Sequence, residues 1–256
     1  MTQPVALVTT RETREYRLLE LPPELDEAIT HGLDTPLTIH GRLVDDAALA
    51  TQDTTYAVKQ MSQTNSLLLC GPAQRNERLE LDMHHNATDV LELVPIPARV
   101  DRLPEFLADS EYSGEIAESS LRARKYTPRE VRSVVQASER EFDAGLNEHH
   151  VVQLDGYLRR ISLDFCYDQL RVLVNQLDVL ACEPQHTPLE PTIRALEHGG
   201  ARKEVARAIL KWFGTLNDDH VALDTRRIAR LLGIGLLRHV KVRVLLTGKA
   251  TVQFYG

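Results

Sequence analysis

Apolar and polar positions follow two different periods along this chain, and the change of period divides it. Through residues 1–95 the apolar positions fall in short runs. Tyr56 and Val58 alternate with Ala57 and Lys59, the period of two that a strand with one buried face requires. Leu67, Leu68 and Leu69 form an uninterrupted run, the pattern of a strand covered on both sides. Ser62, Gln63, Thr64, Asn65 and Ser66 lie between them, small and polar side chains that predict a turn. Further short strands are expected at 16–21, 37–40, 78–83 and 90–94, with breaks at Gly71-Pro72 and Pro95-Ile96-Pro97. Residues 1–15 are polar and mixed and read as a loosely held lead-in. One helix is expected at 24–31, started by Pro22-Pro23 and stopped by Gly32. A small antiparallel barrel or sandwich is the economical arrangement for such strands, and its edges would be open to another chain.

From residue 125 the period becomes helical. Thr127, Pro128 and Glu130 form a helix start, followed by Val131, Val134 and Val135 at helical spacing. Ser138 and Glu141 repeat the capping-box pattern ahead of Phe142 and Leu146. Asp155-Gly156 then sits between two apolar runs, the strongest local signal for a tight hairpin. An amphipathic helix is expected over 163–180, with Phe165, Leu170, Val174 and Leu177 facing inward. Two helices, a hairpin and a packing helix make a winged-helix-like module. Helices at 191–198 and 202–213, a third capped by Asp224, and a closing hairpin over 242–255 describe a second. The fold class is therefore α+β, an N-terminal antiparallel β-barrel-like domain followed by winged-helix modules. The boundaries fall at 1–109 for a β-rich assembly domain and 110–124 for a linker of small and charged residues. The two helical modules occupy 125–185 and 186–256, the second incomplete.

Charge sharpens this division. Residues 1–120 hold 9 Lys+Arg against 21 Asp+Glu, whereas residues 201–256 hold 11 against 4, within a chain of net charge −7. The basic end is the candidate for a polyanion, with Arg159 and Arg160 on the expected wing and Arg226, Arg227 and Arg230 on the last helix. No stretch reaches the roughly 18 apolar residues of a membrane helix, and the first ten residues lack the basic and apolar regions of a signal peptide. A soluble intracellular protein is expected.

Catalytic signals are absent. Cys70, Cys166 and Cys182 have no paired short spacing and read as reduced structural thiols. His84 and His85 are adjacent, so on a strand they would point to opposite faces and not share a metal. His149-His150, Ser138 and Asp155 show neither a nucleophile motif nor metal-ligand spacing. No cofactor, metal or enzyme activity is expected.

Five stretches, in order, carry a resemblance. They are Leu18-Leu-Glu-Leu-Pro-Pro-Glu-Leu25, Thr64-Asn-Ser-Leu-Leu-Leu69, Glu111-Tyr-Ser-Gly-Glu115, Gln136-Ala-Ser-Glu-Arg-Glu141 and Val152-Gln-Leu-Asp-Gly-Tyr-Leu-Arg159. Together, across residues 16–230, they resemble the Dcc family, the "defective in sister chromatid cohesion" subunit of the alternative replication-factor-C clamp loader. The resemblance implies a non-catalytic nuclear scaffold subunit without a cofactor. Its β-region would share a barrel with the large loader subunit and its small β partner, through Tyr56, Val58, Asn65, Leu67 and Leu69. Its winged helices would meet DNA polymerase epsilon and bind DNA non-specifically, Arg159, Arg160, Arg226, Arg227 and Arg230 being the candidates. Replication-factor-C small subunits and the PCNA clamp complete the implied partners, in DNA replication and sister chromatid cohesion. ATP hydrolysis would belong to other subunits, in keeping with the lack of a Gly-Lys-Ser/Thr phosphate loop here. Two departures stand out. Leu158 takes the place where the family often carries a tryptophan, and residues 241–256 match nothing in its pattern, as though a third winged helix were missing.

The competing reading is a winged-helix transcription regulator with an N-terminal dimerisation sheet. Its recognition helix would be the one beginning near Glu139, which carries Glu139, Glu141, Asp143 and Glu148 against Arg140 alone. An acidic helix is a poor entrant into a polyanionic groove.

Overall fold

The computed structural model describes residues 6–9, 16–32, 36–75, 78–239, 243–245 and 251–253. Most of the expected lead-in, residues 1–15, and the 247–249 turn lie outside the described residues. Contacts divide the chain into two units, Met1–Arg99 with Ser133–Phe142, and Val100–Arg132 with Asp143–Gly256.

The first unit is one mixed sheet with a helix against it. Strands β1 (Ala6–Thr9) and β2 (Leu18–Glu20) precede helix α1 (Pro23–His31), which starts at the proline pair as expected. Strands β3 (Thr38–His40), β4 (Ala48–Ala50), β5 (Thr55–Arg75) and β6 (Arg78–Ile96) follow. The sheet order is β1–β6–β5–β4–β3, with β2 also on β6. A small core forms where Leu25 of α1 meets Leu49, Tyr56 and Leu93, flanked by Leu21, Leu37 and Val58.

Four expectations are corrected here. The anticipated antiparallel barrel is an open mixed sheet among the described residues, because β1 and β2 run parallel to β6 and the strand order does not return on itself. Residues 62–66 do not turn the chain, and Gly71-Pro72 does not end a strand. Both lie within β5, which pairs antiparallel with β6 from Thr55 opposite Ile96 to Arg75 opposite Arg78. The residues between the expected strands at 78–83 and 90–94, read as a link, are likewise strand. Local turn chemistry yields because the partner strand offers backbone hydrogen bonds along this length, interrupted only at register shifts between Ser62 and Leu67 and between Leu69 and Cys70. What remains of the turn signal is a register break: Ser62 faces Asp89 and Leu67 faces Ala87, so residues 63–66 stand against Thr88 alone.

Residues 133–142 complete the first unit. Gln136 Nε2 donates to the Asp46 carbonyl at 2.6 Å, and Gly41 N donates to the Ser133 carbonyl at 3.1 Å. The Glu141 carboxylate accepts from Thr55 Oγ1 at 2.6 Å and from Ser138 Oγ at 2.7 Å. Ser138 Oγ accepts in turn from Glu141 N at 3.3 Å, the reciprocal capping box expected there.

The second unit begins with α2 (Arg102–Phe106) and α3 (Glu115–Ser120), then α4 (Pro128–Val134) and α5 (Glu139–Glu148), of which the connecting Ser133–Phe142 groups with the first unit. Hairpin β7 (Val151–Leu154) and β8 (Tyr157–Arg160) leads to α6 (Leu163–Leu180). Asp155 (φ 52°) and Gly156 (φ 85°) supply the two positive-φ positions of a tight turn. Strand β9 (Thr187–Pro188), α7 (Leu189–His198), α8 (Lys203–Trp212), β10 (Gly214–Leu216), β11 (His220–Leu223) and α9 (Thr225–His239) follow. Strands β12 (Arg243–Leu245) and β13 (Thr251–Gln253) pair as the closing hairpin.

Helix α6 is the spine of this unit. Cys166, Tyr167, Gln169, Leu170 and Leu173 are its buried residues, with Phe165, Val174 and Leu177 at the margin, so its inward face is turned from the expected stripe. Ile193, Leu196, Val205, Ile209, Trp212, Val221 and Ile228 join the same core.

The expected linker also proves to be structure. Tyr112 is fully buried, bridges Ile161, and sets its ring edge-on to Phe165 at 5.4 Å. Burial pushes the Tyr112 phenol up to about 12. Small and charged composition concealed a segment that is stitched to β8 and α6 by backbone hydrogen bonds, Tyr112 N to Arg160 O at 2.8 Å and Ser162 N to Tyr112 O at 3.0 Å.

Candidate assembly edge and basic cleft

The five residues proposed for an assembly sheet separate into two environments. Tyr56 is buried and Val58 half-buried, and both belong to the core under α1. Asn65 is exposed within the register break. Leu67 and Leu69 are 55% and 41% exposed, and Leu68 between them is exposed as well. Successive strand residues point to opposite faces, so this run is open on both faces of the ribbon. Coverage on both sides, as the apolar run implied, is not provided by the described residues of this chain.

The edge is open too. Strand β4 pairs with β5 only from Thr55 to Ala57, and Val58 N adds a bond to the Ala47 carbonyl. Beyond that point β6 is the only strand paired with β5 among the described residues, so the opposite edge is bare through residue 75. Met61 adds a further exposed apolar side chain. Exposed edge backbone and clustered apolar side chains together form a template for strand addition.

The basic candidates also separate. Arg159, expected on a solvated wing, is corrected: it is 1% exposed. Its guanidinium is fully engaged by the Glu118 carboxylate, at 2.7 and 2.8 Å, and by the carbonyls of Ser110 and Glu111. Hydrogen bonds from Arg159 hold the Glu118 carboxyl down at about 2, with Lys125 assisting. This arginine fixes α3 to the hairpin and is not available to a phosphate. Arg160 pairs with Glu111 at 2.7 Å and is partly exposed. Arg226, Arg227 and Arg230 are exposed on α9. Arg227 bonds the Trp212 carbonyl at 3.2 Å and pairs with Asp224, while Arg226 and Arg230 have no ion-pair partner among the described residues.

Arg227 and Arg230 share a cleft that sequence reasoning missed. A cavity of about 750 Å³ opens between α5, the start of α6, the end of α8 and α9. Trp212, Phe213, Leu163, Leu231 and Ile234 line it, with Lys211, Arg227, Arg230 and Arg238 around them. His150 lines it as well, its ring 5.0 Å from Trp212, its pKa lowered by burial and then by Arg160 and His149. The signal was present in α9: positions 227, 230, 231, 234 and 238 recur at helical spacing on one face. Its partners on α5 and α8 lie too far away in sequence to be read with it. Among the described residues no group of three or more His, Cys, Asp and Glu side chains is placed to hold a metal ion, and no helix is long and apolar enough to cross a membrane.

Residues 16–253 match the model of the family described as sister chromatid cohesion protein Dcc1. The chain belongs to the Dcc1 family. The match runs beyond residue 230, so the expectation that residues 241–256 fall outside the family pattern is overturned as far as residue 253. Relatives named sister chromatid cohesion protein DCC1 include proteins from three vertebrates. The Xenopus laevis protein is 24% identical over 240 residues, covering 88% of this chain and 61% of its own length. The Mus musculus protein is 25% identical over 244 residues, 89% of this chain and 60% of its own. The Homo sapiens protein is 25% identical over 251 residues, 88% and 61%. This chain thus spans about three-fifths of the length of these Dcc1 relatives.

Proposed function

We propose that this chain is a non-catalytic, nuclear scaffold subunit of an alternative replication-factor-C-like clamp loader that acts on PCNA and supports sister chromatid cohesion. Family membership and the relatives' names support the cohesion role. The observation that carries the scaffold reading is the bare edge of β5, with Leu67, Leu68 and Leu69 exposed beside it. In this reading the large loader subunit and its small β partner lay strands along that edge and close a shared barrel. The two helix–helix–hairpin–helix runs act as winged-helix modules, linking the loader to DNA polymerase epsilon and to DNA. Replication-factor-C small subunits join through the large subunit. Arg226, Arg227 and Arg230 serve as non-specific phosphate contacts, and Arg160 lies at the wing.

The test is co-expression with the large loader subunit and its small partner. L67D with L69D abolishes recovery of both, while unfolding of the free chain is unchanged because both positions are exposed. Intact recovery of the complex overturns the interface. Reversing charge at Arg226, Arg227 and Arg230 weakens DNA retention steeply with salt. Unchanged retention at low salt removes DNA from the reading.

A further inference from the structure

The cleft beside α9 has a chemistry of its own, apart from DNA. Four cations line it, Lys211, Arg227, Arg230 and Arg238, against two carboxylates, Glu148 and Asp164, within a chain of net charge −7. Two of the cations are compensated, Arg227 by Asp224 and Arg238 by Asp164 at 3.5 Å. Lys211 and Arg230 are exposed and have no ion-pair partner among the described residues. Positive charge is therefore concentrated, and partly uncompensated, at a concave place. Between the cations lies an apolar floor that includes Ile234, 45% exposed and thus open to contact.

We propose that this cleft binds a short acidic peptide segment of a partner protein through one bulky apolar side chain. That side chain enters against Ile234 and Leu231, and flanking Asp or Glu residues meet Lys211 and Arg230. A volume of about 750 Å³ falls in the range of sites that enclose a ligand, with ample room for a leucine or phenylalanine. Nucleic acid fits less well. Inside the cavity Trp212 is buried with its ring tilted onto His150, leaving no free platform on which a base could stack. The cleft lies wholly within the second unit, so this inference stands without the clamp-loader reading.

The experiment pans the full chain against a display library of random peptides roughly 12 residues long, a length that spans the cleft in extended form. Enriched peptides are then titrated with a fluorescent label by anisotropy. Enriched sequences should pair Asp or Glu with Leu, Ile or Phe. K211E with R230E should weaken binding by about tenfold or more at physiological salt, and I234S should do the same without adding any charge. All three positions are solvent-accessible, so thermal unfolding of these variants should match the parent. The proposal is overturned by a panning with no enrichment, by enriched peptides without acidic residues, or by affinity unchanged in both variants. It is also overturned if an oligothymidine displaces the label at lower concentration than the unlabelled peptide does.

Discussion

Arg159 presents Nη1 and Nη2 to the two carboxylate oxygens of Glu118, at 2.7 and 2.8 Å, across 41 residues of sequence. Both groups are largely withdrawn from water, and a buried pair is costly to break because the survivor keeps an uncompensated charge. E118Q, which leaves the buried Arg159 charge without a counterion, should therefore destabilise the second unit by about 3 kcal/mol. R159M should cost less, because Glu118 keeps its ion pair with Lys125. Trp212, the single tryptophan of the chain, lies in that unit, so urea unfolding followed by tryptophan fluorescence reads both variants.

The same pair sets an acid limit. The Glu118 carboxyl titrates at about 2 in the folded chain, below its ordinary range near 4.5. Its contribution is complete above the ordinary value and is lost as pH falls from there toward about 2. His150 acts earlier. Its folded pKa is lowered, so the unfolded chain takes up a proton first, and stability declines as pH falls through about 6.5. H150N should flatten the decline near pH 6 and leave the one below pH 4.5, as measured by unfolding midpoints across pH.

Glycine at 235 marks a close approach. A Cβ there would meet the Tyr167 ring at 2.1 Å, although the position is mid-helix. Helix propensity alone favours G235A by about 1 kcal/mol. Overpacking against a buried ring opposes it and should prevail, giving a net loss of about 1–2 kcal/mol. In a double-mutant cycle G235A should cost less in a Y167A background than in the parent, as urea unfolding read by tryptophan fluorescence would show.

In the first unit, E141A removes acceptors from Thr55 Oγ1 and Ser138 Oγ together. A loss of about 2 kcal/mol is expected, greater than the ~1 kcal/mol of losing an exposed cap. Because Trp212 lies elsewhere, circular dichroism is the measurement. A loss no greater than that of an isolated cap would mean that the Thr55 bond contributes nothing.

Local signals account for what was legible. Thr127 with Glu130, Ser138 with Glu141, and Asp155-Gly156 each act within three residues, and each forms the predicted structure. Non-local pairing accounts for what was hidden. Ser62, Asn65 and Gly71-Pro72 look like turns, yet their backbone lies in a ribbon whose partner strand is 9–27 residues away. Composition made a linker of residues 110–124, whereas Tyr112 and Glu118 are held by side chains more than 40 residues on. Arg159 looked like a surface cation because nothing near it in sequence announces Glu118. The cleft needed four separated segments to be brought together before Arg230 and Lys211 could be seen as neighbours of one cavity.

The parallel pairing of β2 with β6 carries a consequence for how the chain is made. Leu18 sits opposite Val90, and Leu19 opposite Leu91. At about 5–20 residues per second, a ribosome needs roughly 4–14 seconds to travel from one partner to the other. Over that interval β2 has left the ribosome before its neighbour has been synthesised. This early strand is thus among the last to join its sheet, and anything that delays translation between residues 20 and 90 prolongs its wait.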